Sequence, residues 1–137
     1  MKIWLAVLLV TVFVLIPAGT LYAGTLEVVE VTFCTGVEER TPVGADTEFS
    51  NTVGRVWCFT KITGADDPTT VVHVWYFNDE EKARVELAVK SNSWRTWSSK
   101  QVVETWTGQW RLEVESADGT VLKTAEFAVK PAAEAPE

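Results

Sequence analysis

His73 is the only histidine in the chain, in the run VVHVWYF, so any base or metal site of the ordinary kind has to be built on it. Period-two alternation puts Val71, His73, Trp75 and Phe77 on one strand face and Val72, Val74 and Tyr76 on the other. An imidazole between large apolar neighbours reads as a core histidine with satisfied nitrogens. Zinc needs three or four nitrogen or sulfur ligands, and no second histidine or nearby carboxylate stands ready to complete a set. The acids Asp66-Asp67 and Asp79-Glu80-Glu81 lack the alternating oxygen spacing of a calcium loop and read as solvated turns. Ser98 and Ser99 lie beside Lys100, but there is no GxSxG elbow, no SxxK order and no histidine with a partner acid. Glycosidase chemistry needs two inward carboxylates, whereas the acids here fall in turns and at outward strand positions. The expectation is a protein that is not an enzyme and holds no cofactor and no metal.

The remaining candidate is the stretch 93–111, SWRTWSSKQVVETWTGQWR, with four of the six tryptophans that follow the N-terminal segment and with Arg95, Lys100 and Arg111. On a strand, Arg95, Trp97 and Ser99 share a face, which sets a guanidinium beside an indole. One reading is internal: Arg95 stacks between Trp97 and an indole from another strand, such as Trp75, and holds the sheet together. The other is a surface on which Trp97 and Trp106, with Arg95 and Lys100, stack against sugar rings or apolar side chains of a partner, near His73 and Trp75.

Charge narrows the partner. The chain carries 12 basic and 19 acidic residues, a net −7, which argues against nucleic acid because phosphate neutralisation needs a surplus of Lys and Arg. Residues 82–111 hold six bases and two acids, a local +4 inside an acidic protein. An acidic glycan or an acidic protein segment is the expected partner class.

Lys2 precedes an uncharged run at 3–16, and Leu21-Tyr22-Ala23 before Gly24 suits cleavage, so 1–23 reads as a signal peptide. The run is short for a membrane span; contact with a membrane is expected only if the segment stays uncleaved. A periplasmic or secreted location follows, and there the even count of two cysteines, Cys34 and Cys58, predicts a disulfide. Residues 24–130 are enough for one domain, with 131–137 as a disordered tail. Strands are predicted at 26–34, 55–62, 71–77, 83–89, 94–99, 110–114 and 121–129, the last two joined by the Asp118-Gly119 turn. A long polar connection, CTGVEERTPVGADTEFSNTVG, separates the first two. About seven short strands make an all-β, two-sheet antiparallel sandwich of immunoglobulin type the expected architecture.

CTGVEERTP, GRVWCFTKI, HVWYF, WRTWSSK and WTGQW, followed by DGTVL and a last strand, resemble in order and spacing the bacterial family catalogued as domain of unknown function 2914, over about residues 31–129. The resemblance implies an immunoglobulin-like sandwich in exported or membrane-anchored proteins and no established activity. Together these readings describe an exported, non-catalytic interaction or accessory module, with acidic polysaccharide binding as the alternative. The chain departs from the family pattern at Val74, where a basic residue is common, and in carrying two cysteines.

Overall fold

The structure, a computed structural model, describes residues 25–132; the expected signal segment 1–23 and the end of the tail lie outside the described residues. Every regular element among them is a strand. The long apolar or alternating segments form β1 (Glu27–Cys34), β5 (Arg55–Thr63), β6 (Thr69–Phe77), β7 (Glu80–Val89), β8 (Ser93–Gln101), β9 (Gly108–Ser116) and β10 (Val121–Lys130). Three further strands of three residues each, β2 (Gly36–Glu38), β3 (Thr41–Val43) and β4 (Glu48–Ser50), arise inside the polar connection where none was predicted. Segments so short show no alternation, and their strand state is set by what they dock against.

Two sheets face each other: a three-stranded one in the order β1-β5-β8 and a five-stranded one in the order β4-β10-β9-β6-β7, with β2 and β3 forming a separate hairpin. The sandwich expected from the sequence is therefore present, though not wholly antiparallel, because β4 adds to the edge of β10 in parallel, Phe49 beside Val129.

Alternation decides which residues enter the core. From the five-stranded sheet come Val71, His73 and Trp75 of β6, Trp110, Leu112 and Val114 of β9, and Phe127 and Val129 of β10. From the other sheet come Val28 and Phe33 of β1 and Val56, Cys58, Thr60 and Ile62 of β5. Phe127 sits at the middle, its ring 4.5 Å from Phe33, 5.7 Å from Trp110 and 6.1 Å from Trp75 between centroids. Each fully buried aromatic removes enough apolar surface from water to contribute about 2 to 3 kcal/mol before the entropy of ordering it.

The expected disulfide is not formed: Cys34 and Cys58 are both buried free thiols. Register pairs Cys34 with Trp57 and Phe33 with Cys58, so alternation sends the two thiols toward opposite faces of the sheet. A bridge needs converging Cβ vectors, which this register denies. Cys58 packs in the core, while the Cys34 thiol points to the carbonyl of Trp57 at 3.8 Å. Burial pushes the Cys34 thiol up, and burial, then the neighbouring Cys34 charge, pushes Cys58 well above the usual range.

Candidate functional site

The residues nominated from sequence fall into three places, not one. His73 and Trp75 are wholly buried between the sheets. The Thr60 hydroxyl of β5 donates to the Thr96 carbonyl at 2.8 Å, so its oxygen can only accept from His73 Nε2, 3.2 Å away. Nδ1 is thereby the acceptor, taking the Ser98 hydroxyl proton at 2.6 Å, and Ser98 Oγ in turn accepts from Trp75 Nε1 at 3.1 Å. Every polar atom of this chain has a partner, and the chain ties β6 of one sheet to β5 and β8 of the other. Burial lowers the His73 pKa to about 4, so the ring is neutral at neutral pH. The expected stack of Arg95 on Trp75 does not occur, because the indole lies inside the sandwich and Arg95 is exposed on its outside.

Lys100 and Trp106 meet at the open edge of the sandwich. Trp106 stacks on Phe77 at 6.2 Å and leans on Trp110 at 5.9 Å. Over the same indole stand Lys82 Nζ at 5.1 Å and Lys100 Nζ at 5.3 Å. Burial lowers the Lys100 pKa, and the like charges of Arg55 and Lys82 lower it further. Trp106 is half-buried, and its neighbours make it a brace between β7, β8 and the loop before β9 rather than part of a platform with Trp97.

Arg95 and Trp97 occupy the outer face of the three-stranded sheet, and there the register builds a surface that sequence reading did not assemble. Its rows, read across β1, β5 and β8, are Glu30, Lys61 and Arg95; Thr32, Phe59 and Trp97; Cys34, Trp57 and Ser99. Trp97 lies parallel to Phe59, centroids 6.1 Å apart and planes 13° apart, and both Trp97 and Trp57 remain half-open. Arg55 follows on the same face and donates to Ser99 Oγ at 2.8 Å. Lys61 directly opposite Arg95 is a like-charge pair, an arrangement that weakens a sheet.

The β2–β3 hairpin folds back over this face. Its turn residues Glu39 and Arg40 adopt φ of 48° and 59°, left-handed conformations that glycine or asparagine takes cheaply and that cost other residues about 1 kcal/mol each. Arg40 at the tip, with Ser91, Ser93, Trp94, Arg95 and Trp97, lines a cleft of about 320 Å³. Among the described residues, ion pairs engage Lys82, Arg84, Arg111 and Lys130, but neither Arg40 nor Arg95.

The outer face of the five-stranded sheet is the electrostatic opposite. Arg84 bridges Glu81 and Glu115, both at 2.8 Å, and Arg111 pairs with Asp79 and Glu113 while lying 4.3 Å over the Tyr76 ring. Both of these arginines are neutralised in place. Burial, then the Glu113, Glu81 and Glu115 carboxylates, raise the Tyr76 pKa.

Arg40, Arg55, Trp57 and Lys61 were not among the sequence candidates. The β5 residues were legible in principle, since Arg55, Trp57, Phe59 and Lys61 alternate in RVWCFTKIT. Arg40 carried no such signal, because only the fold brings the hairpin tip to β8.

Residues 68–129 match the family model described as Protein of unknown function (DUF2914), the family that the motifs resemble; CTGVEERTP and GRVWCFTKI precede the matched stretch. No curated protein matches the chain. Solved structures to which the chain is similar include a β-glucosidase from Kluyveromyces marxianus, at 11% identity and a TM-score of 0.45 over 78% of this chain and 14% of that one. Another is a β-glucosidase from Listeria innocua in complex with glucose, at 12% identity and a TM-score of 0.43 over 77% of this chain and 16% of that one. The chain thus spans about a seventh of the length of these enzymes, a likeness that carries no argument about activity.

Proposed function

We propose that this domain, whose residues 68–129 match the DUF2914 family model, is a non-catalytic binding module, exported from the cytoplasm, that engages an acidic polysaccharide through the outer face of the three-stranded sheet. The observation that carries this is the contrast between the two outer faces: the arginines Arg84 and Arg111 on the five-stranded side are held by carboxylates, while Arg40 and Arg95 have none and line a cleft with the half-open indole of Trp97. Unpaired guanidinium groups on an acidic protein attract anions, and an indole face adds a non-ionic contact that suits a pyranose ring. The apolar run at 3–16 after Lys2 supports export.

A second reading, an acidic protein segment on the same face, is favoured by Trp57 and Arg55, since Trp and Arg anchor protein interfaces. The test is tryptophan fluorescence of the purified protein titrated with acidic and neutral polysaccharides at low and high salt, beside an Arg95→Glu variant. The expected outcome is a shift with the acidic polymer only, weaker at high salt and in the variant. Indifference to every acidic polymer, or binding that ignores salt and the reversed charge, rules the proposal out.

A further inference from the structure

The cleft at the hairpin tip joins two features that make little sense for the fold alone. Arg40 is held in a left-handed turn position, φ 59°, where glycine relieves strain, and Arg95 is set against the like charge of Lys61. Both arginines line the same cleft of about 320 Å³, with Trp97, Ser91 and Ser93. A space of that size lies at the small end of ligand sites. Its lining is polar apart from the indoles, which disfavours an apolar side chain as occupant.

We propose that this cleft is a subsite for one uronate residue of an acidic polysaccharide, with the carboxylate between Arg40 and Arg95 and the pyranose ring on the open face of Trp97. The planar guanidinium fork matches a carboxylate with two parallel hydrogen bonds, which a lysine does not offer. Phe59 lies parallel to the Trp97 ring across the ladder, centroids 6.1 Å apart, and holds its plane, so the platform is in place before the sugar arrives. Ser91 Oγ donates to the Ser93 carbonyl at 3.0 Å and keeps its lone pairs for a sugar hydroxyl. An acidic peptide side chain would satisfy the cations but brings no ring to cover the indole. The proposal rests on the outer face being the binding surface and adds the chemical unit and the residues that select it.

The experiment measures binding of polygalacturonate, poly-L-glutamate and neutral dextran to the purified protein and to Arg40→Gly and Arg95→Gln, with the thermal midpoint of each. Both substitutions remove something unfavourable to the fold, a strained turn residue and a like-charge pair, so stability stays level or rises. Binding of polygalacturonate is expected to weaken about tenfold in each variant, with poly-L-glutamate weaker than polygalacturonate and dextran inert. A purely structural Arg40 or Arg95 cannot give equal or higher stability together with lost binding. If both variants bind polygalacturonate as the wild type does, the subsite is overturned while the outer face stands. If poly-L-glutamate binds as tightly and is lost in the same variants, the ligand is an acidic protein segment and the uronate assignment falls. If no acidic polymer binds, both readings fall.

Discussion

Lowering the pH below neutrality should unbolt the two sheets at His73. The ring is neutral in the fold, with Nε2–H given to Thr60 and Nδ1 taking the Ser98 proton. Protonation would put a second N–H where Ser98 already donates, inside a core that offers the charge no water. Burial alone sets the pKa near 4 against an ordinary 6.5. A group whose folded pKa is depressed contributes stability that is fully present above the unfolded pKa and is lost as pH falls through the folded one. The loss therefore runs between about pH 6.5 and 4, at about 1.4 kcal/mol per pH unit, and reaches about 3 kcal/mol. Urea denaturation at intervals across that range measures it, and proton NMR of the single imidazole reads the pKa directly. His73→Gln removes the titration; it should lower stability at pH 7 by about 1 to 3 kcal/mol through imperfect hydrogen bonding, yet flatten the slope between pH 6.5 and 4.5. A wild type as stable at pH 4.5 as at 7, or a variant with the same slope, would show that the acid sensitivity does not originate at His73.

Three further outcomes can be checked independently. Trp106→Ala strips the stack on Phe77 and Trp110 and both lysine contacts, and should cost about 2 to 4 kcal/mol in chemical denaturation, with the loss insensitive to any added polysaccharide. Native protein should leave both thiols unreacted toward a thiol-specific chromogenic disulfide over a period in which urea-unfolded protein consumes two equivalents, because burial holds Cys34 and Cys58 protonated and out of reach. Gly54 and Gly64 share left-handed φ values of 80° and 91°, but only at Gly64 does an added Cβ collide with a backbone carbonyl, that of Thr25. Gly54→Ala should therefore cost about 1 kcal/mol and Gly64→Ala clearly more, by thermal unfolding.

Seven long strands were legible because each is an alternating or continuously apolar run bounded by turn residues, and the structure moves no end of them by more than three residues. The strands β2, β3 and β4 were not, since three residues of mixed polarity have no period and owe their geometry to a hairpin and to the edge of β10. The cysteine pairing failed for a related reason: count and compartment say nothing about register, and a one-residue offset between β1 and β5 separates the thiols.

The local +4 of residues 82–111 was a true count and a poor guide to the surface. Folding sends Arg84 and Arg111 to carboxylates on the five-stranded sheet, Lys82 and Lys100 to the Trp106 edge, and Arg95 to the opposite face. Charge that is contiguous along the chain is thus dispersed, and the unpaired basic cleft forms instead from Arg40 and Arg95, which only the hairpin brings together. Local rules are broken at both residues, a non-glycine in a left-handed turn and a cation facing a cation across a ladder. A sequence selected for stability alone would correct each with a single substitution, Arg40→Gly or Arg95→Gln. That the two violations point into one cleft, beside an indole already fixed by Phe59, is the physical ground for locating function there.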